Sequence, residues 1–179
     1  MKIFRYTSKK YSQNSPAIGA ILSGENFINI GEIYKSETGK DLSIIDLIST
    51  PSINIWFNDF FTSVSEINLN IKNIQNVKLL CPIDSISSVR DGYAFRQHVE
   101  TSRRNRGLEM IDEFNNFPIY YYSNHNAING PGLIEIDTFF SKKLDYELEV
   151  AIIIGKKGIN ISPQDADNYI YGFSIMNDL

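Results

Sequence analysis

The stretch Leu144-Asp145-Tyr146-Glu147-Leu148-Glu149-Val150-Ala151-Ile152-Ile153-Ile154 decides how this chain is read. Its period is two. Leu148, Val150, Ile152 and Ile154 are apolar at even positions, whereas Asp145, Glu147 and Glu149 take odd ones, and strand side chains alternate between the two faces of a sheet. The spacing predicts a strand whose carboxylates share one face. Glu147 and Glu149 would stand ~7 Å apart there, near enough to repel each other or, after side-chain rotation, to grip one cation. Two readings follow: a half-buried strand with a solvated acidic face, the ordinary state of such acids, or a paired ligand for a hard ion. Glutamate is a poor strand former, which calls for compensation.

The rest of the composition bounds the answer. With 179 residues, 42% hydrophobic and 21% charged, the chain has a globular composition and length for one domain or two small ones. A formal charge of −4 and a pI near 5.2 weigh against a nucleic-acid surface. The basic cluster Arg103, Arg104 and Arg106 has a local explanation as the cationic last turn of a helix ended by Gly107. A single cysteine, Cys81, allows no internal disulfide, and no Cys/His cluster suits zinc. Met1 to Tyr6 lacks the apolar core of a signal peptide, and no window reaches the ~18 apolar residues of a membrane span. A reducing, cytoplasmic setting without membrane or nucleic-acid partners is expected.

Along the chain, residues 1–80 read as a small β-rich module with one or two helical segments. Ile18 to Leu22 and Phe27 to Tyr34 flank Ser23-Gly24-Glu25-Asn26 as a hairpin. Asp41 to Ser49 suits a short helix before Thr50-Pro51. Trp56, Phe57, Phe60, Phe61 and Val64 form a helical stripe within the ambiguous stretch 53–69, more in keeping with core than with a ligand cage. Val77 to Leu80 reads as a strand, and Cys81-Pro82 as a boundary. Beyond it, Ser88-Val89-Arg90-Asp91 fits a helix-capping pattern, so Asp91 has an ordinary role as a cap for a helix running through His98 to Ser102. Phe117 to Tyr122 and Leu133 to Ile136 read as strands, Ser162-Pro163-Gln164-Asp165 as the start of a short helix, and Tyr171 to Met176 as a last strand.

Four of these segments together resemble the fumarylacetoacetate hydrolase family. Arg90-Asp91-Gly92-Tyr93-Ala94-Phe95-Arg96-Gln97-His98 is similar to its Asp-x-Tyr…Arg-Gln-His segment and Arg106-Gly107 to the Arg-Gly that follows. Leu144 to Glu149 resembles its Leu-Asp-x-Glu-Leu-Glu strand, and Met176-Asn177-Asp178 the start of its Met-Asn-Asp-Trp-Ser-Ala-Arg motif. The resemblance implies an α+β, mainly β fold, in which residues 81–179 form the first part of a mixed β-roll that is the metal-dependent catalytic domain. It implies Asp91, Glu147, Glu149 and Asp178 as ligands of one divalent cation, Mg²⁺ foremost, with Mn²⁺ or Ca²⁺ as alternatives, a choice that an all-oxygen donor set supports. It also implies His98 as the catalytic base, and Arg106, Tyr93 and Tyr121 as substrate-binding residues. Tyr121 lies in a run of three tyrosines, which leaves its alignment open by one residue.

What the resemblance implies about chemistry is action on 1,3-dicarbonyl or 2-oxo acid substrates. Hydrolytic C–C cleavage comes first, with decarboxylation, isomerisation or hydration of an oxo-dicarboxylate as the alternative. Leu179 stands where the family has tryptophan and is the last residue. The expectation is therefore a truncated or split enzyme, either catalytically silent or completed by a complementary C-terminal chain; a homodimer is the other partner that the family implies.

Overall fold

The computed structural model describes residues 1–8, 15–64, 69–137, 139 and 141–179. The chain divides into two compact units, residues 1–84 with 129–179, and residues 85–128.

The first unit is built on a five-stranded antiparallel sheet. β1 (Ile3–Ser8), β2 (Ala17–Ser23), β3 (Asn26–Asn29), β4 (Lys72–Asn73) and β5 (Val77–Leu79) lie in the order β4-β3-β2-β1-β5. The expected hairpin is present, with Gly24 at φ 54° in its turn, where a side chain would be strained. Its second strand is shorter than expected. Asn29 ends it by accepting the backbone N–H of Glu32, and α1 (Ile30–Thr38) follows, closed by Gly39 at φ 74°. The apolar run Phe27 to Tyr34 thus changes period at one capping asparagine.

α2 (Ile44–Ser49) is capped by Ser43, and α3 (Pro51–Ser63) starts with proline at its first turn, where the missing N–H costs nothing. The expected stripe therefore belongs to α3, apart from Val64 at its C-cap; residues 65–68 of the ambiguous stretch lie outside the described ones. Ile18, Ala20, Ile28, Ile30, Ile44, Leu47, Ile48 and Phe57 make the buried core between sheet and helices. Burying each large side chain contributes about 1.5–3 kcal/mol. On the other face of the sheet, Phe27 meets Phe4 and Tyr6 edge-on at 5.0 and 4.9 Å. Buried Arg5 donates to the Cys81 carbonyl at 3.0 Å and pairs with Asp84 at 3.5 Å, tying β1 to the segment after β5.

A long hairpin completes this unit: β8 (Glu147–Ile154) pairs antiparallel with β9 (Ile170–Asp178). The acidic stretch is a strand from Glu147 onward; Leu144, Asp145 and Tyr146 precede it without ladder pairing, so Asp145 does not join Glu147 and Glu149 on the strand face. The side on which it is buried differs from the simplest expectation. Leu148, Val150, Ile152 and Ile154 are 55–72% exposed, as are Phe173 and Ile175 of β9 at 66% and 79%. The face that carries the glutamates is the one that continues into the core, where Ile153 and Tyr171 pack against the buried cluster. None of the described elements covers the apolar face.

The second unit holds β6 (Val89–Gly92), α4 (Arg96–Asn105) and β7 (Tyr120–Ser123), with β6 and β7 antiparallel. The capping expectation at Ser88–Asp91 gives way here: these residues lead into and form a strand, and the helix starts four residues after Gly92, because backbone pairing with β7 claims the segment first. Gly107, at φ 72°, does follow the helix, and Arg103 and Arg104 occupy its last turn. Two further expectations change. Leu133 to Ile136 is irregular, without a ladder partner, and the segment after Ser162 forms only a 3-10 turn, Ala166–Tyr169.

Candidate functional site

The β8–β9 register gathers acids at the open end of the hairpin. Glu147 lies directly opposite Asp178, and Glu149 opposite Met176, so all three acids share one face. Glu149 and Asp178 each bring a carboxylate oxygen within 4.8 Å of the other. Asp178 reaches this position because β9 runs unbroken to the end of the motif that the sequence singles out. The donor set at this end is all oxygen, with neither thiolate nor imidazole on either strand, and fits a hard divalent ion in preference to zinc or copper.

In the second unit, β6 and β7 set Asp91 opposite Tyr121, and the Tyr121 hydroxyl donates to Oδ2 of Asp91. Period two sends the flanking residues to the opposite face. There the Arg90 guanidinium lies 5.7 and 5.1 Å from the Tyr120 and Tyr122 ring centres. Hydrogen bonding from Arg90, and then its charge, holds the Tyr122 hydroxyl below the usual phenol range. The three consecutive tyrosines thus serve two faces, one turned to a carboxylate and the other to a guanidinium.

Tyr93 follows β6 directly and extends the ladder by donating its N–H to the Ile119 carbonyl at 3.0 Å, with its ring partly exposed. His98 stands in the first turn of α4, and Asp91 lies on β6 and not in the cap of that helix. It lines an open concavity of about 540 Å³ with Ala94, Phe95, Arg96, Gln97 and Thr101. Arg106 is the C-cap at the other end of the same helix, eight residues or ~12 Å of helical rise from His98, and donates to Ser102 Oγ at 3.1 Å. Within one unit the structure therefore joins Glu147, Glu149 and Asp178, and within the other Asp91 and Tyr121, while α4 holds His98 and Arg106 apart. Sequence reasoning missed the Asp91–Tyr121 bond and the Arg90–tyrosine contacts. Only the alternation within Tyr120–Tyr122 hinted at them, and cross-strand partners cannot be read from one strand.

The chain is thus one of antiparallel sheets and helices that collects carboxylates at one hairpin end. Comparison with known proteins makes this specific: residues 87–179 match the family model described as fumarylacetoacetate (FAA) hydrolase C-terminal, and the chain belongs to the fumarylacetoacetate hydrolase family. It is 28% identical over 171 residues to a fumarylacetoacetate hydrolase domain-containing protein 2 homolog of Dictyostelium discoideum, covering 93% of this chain and 50% of that protein. It is 30% identical over 112 residues to the oxaloacetate tautomerase YisK of Bacillus subtilis, covering 60% of this chain and 35% of that protein. Among solved structures, a fumarylacetoacetate hydrolase from psychrophilic Exiguobacterium antarcticum shares the fold, with a TM-score of 0.62 and 23% identity, over 99% of this chain and 55% of that one. The chain spans about half the length of the relatives that match it over most of its own length. Among the described residues, no helix is long and apolar enough to cross a membrane.

Proposed function

We propose that Asp91, Glu147, Glu149 and Asp178 hold one divalent cation, Mg²⁺ foremost, in an enzyme acting on a 2-oxo acid or a 1,3-dicarbonyl compound, with residues 81–179 contributing to its catalytic domain. The observation that carries this reading is the β8–β9 register, which brings Glu147, Glu149 and Asp178 to one end of one face. Opposed like charges destabilise a strand pair, and a cation removes that cost. When bound, the cation supplies Lewis-acid stabilisation of the negative charge that develops on a carbonyl oxygen.

The other residues take roles that their chemistry allows. Arg106 pairs with the substrate carboxylate, for which a planar guanidinium is suited. Tyr93 donates to a substrate oxygen. His98, on an open concavity, accepts a proton from water as the water oxygen bonds to one carbonyl carbon. The bond between that carbon and its neighbour then breaks, and the leaving carbon takes up a proton. This is hydrolytic C–C cleavage, consistent with the hydrolase for which the family is named. A second reading is favoured by the relative that is an oxaloacetate tautomerase: the same histidine moves a proton between carbon and oxygen of an oxo-dicarboxylate, and no bond between carbons breaks. Both readings share charge stabilisation on an enolate-like oxygen.

The test is calorimetric titration of Mn²⁺ and Mg²⁺ into the full chain, wild type beside Glu147→Gln/Glu149→Gln, with circular dichroism as a folding control. Binding by wild type and a loss of at least tenfold in the double variant are expected. A folded wild-type chain that binds neither ion would overturn the metal assignment. Release of two acids from a diketo acid supports cleavage, whereas accelerated decay of enol-oxaloacetate without fragment release supports tautomerisation.

A further inference from the structure

The Asp91–Tyr121 pair carries an inference that rests on the metal reading and goes beyond it. The two residues are direct partners in the β6–β7 ladder, and the phenol donates to Oδ2 of the carboxylate. The rest of the tyrosine run is committed elsewhere. Tyr120 and Tyr122 turn to the opposite face and pack edge-on with ring centres 5.8 Å apart, against Arg90. Neither can take the place of Tyr121 without reversing the strand, because a one-residue slip exchanges the faces.

An ionised carboxylate offers about four lone-pair sites. A phenol that occupies one of them on Oδ2 leaves lone pairs of the carboxylate for a cation and restricts rotation about the Cβ–Cγ bond. Asp91 is half-buried, so without this donor its side chain would choose its rotamer mainly against water. We infer that Tyr121 is a positioning residue for Asp91, holding the carboxylate in the orientation from which it ligates a divalent cation. Partners that orient metal ligands in this way are worth about ten- to a hundredfold in affinity.

The test uses Mn²⁺ as the probe and the full chain throughout. Tyr121→Phe keeps the ring and removes the hydroxyl; Tyr122→Phe does the same on the opposite face of the same strand. Calorimetric titration should show Mn²⁺ binding about tenfold or more weaker in Tyr121→Phe and unchanged in Tyr122→Phe, with superimposable circular dichroism. A double-mutant cycle separates positioning from general packing. If Tyr121 acts through Asp91, adding Tyr121→Phe to Asp91→Asn causes no further loss, whereas a loss that adds in full marks a structural effect and overturns the inference. Wild-type Mn²⁺ affinity in Tyr121→Phe, with a raised KM alone, would assign the hydroxyl to substrate only and overturn the positioning role while leaving the metal reading intact. A folded wild-type chain that binds no Mn²⁺ would remove both.

Discussion

His98 shows what a single residue keeps and loses between sequence and structure. Its neighbours Arg96 and Gln97 give it a recognisable setting, and the fold places it on an open concavity where water and a small acid can reach it. Arg96 is already engaged with Glu100 at 2.7 Å and Asn115 at 2.7 Å, so it braces the start of α4 beside the imidazole. His98→Asn should lower kcat by about 10²–10⁴ while leaving Mn²⁺ affinity at the wild-type value. Parallel turnover and calorimetric measurements check this; a joint fall in both would make His98 a ligand or a structural residue instead. The residue's place on a helix was legible in the sequence. Its distance from Asp91 was not, because a capping pattern and a strand start look alike over Ser88–Asp91, and only the pairing with Tyr120–Ser123 decides between them.

At the scale of elements, period two identified β8 and the shared face of Glu147 and Glu149, and the helical stripe identified α3. The change from strand to helix at Asn29 escaped detection because the apolar run continues through it; the cap is one side-chain hydrogen bond, worth about 1 kcal/mol. The burial of β8 was illegible for a different reason. Alternation tells which residues share a face but not which face meets the core, and here Ile153 packs inward while Val150 and Ile152 stand exposed. One close approach between elements gives a sharp prediction. A Cβ on Gly130 would lie 2.6 Å from the Leu80 carbonyl carbon and 2.5 Å from the Cys81 nitrogen, both backbone atoms that a rotamer change cannot move. Gly130→Ala should cost about 1–3 kcal/mol in urea unfolding, against near-neutrality for the same change at Gly172, where a Cβ meets open space.

On the scale of the whole molecule, stability should carry an alkaline limit set inside the first unit. Burial, and then the Glu32 carboxylate, push the Tyr6 hydroxyl from 10.0 up to about 12. The folded state therefore holds this proton more tightly than the unfolded chain does. The stability that depends on it is complete below pH 10 and is lost as pH rises through about 12. Burial raises Tyr171 in the same direction. Unfolding free energies measured from pH 9 to pH 12 should fall for wild type, and less steeply for Tyr6→Phe; equal slopes would exclude Tyr6 as the source.

Glu147 facing Asp178 also makes the open end of the β8–β9 hairpin a gauge of plain ionic strength. Electrolyte shortens the reach of charge repulsion from about 30 Å at 0.01 M to about 3 Å at 1 M. Sodium chloride alone should slow amide exchange at Leu148 and Asn177, the next rung of the ladder. In buffer free of divalent ions, dilute solution then gives the loosest strands and concentrated salt the tightest.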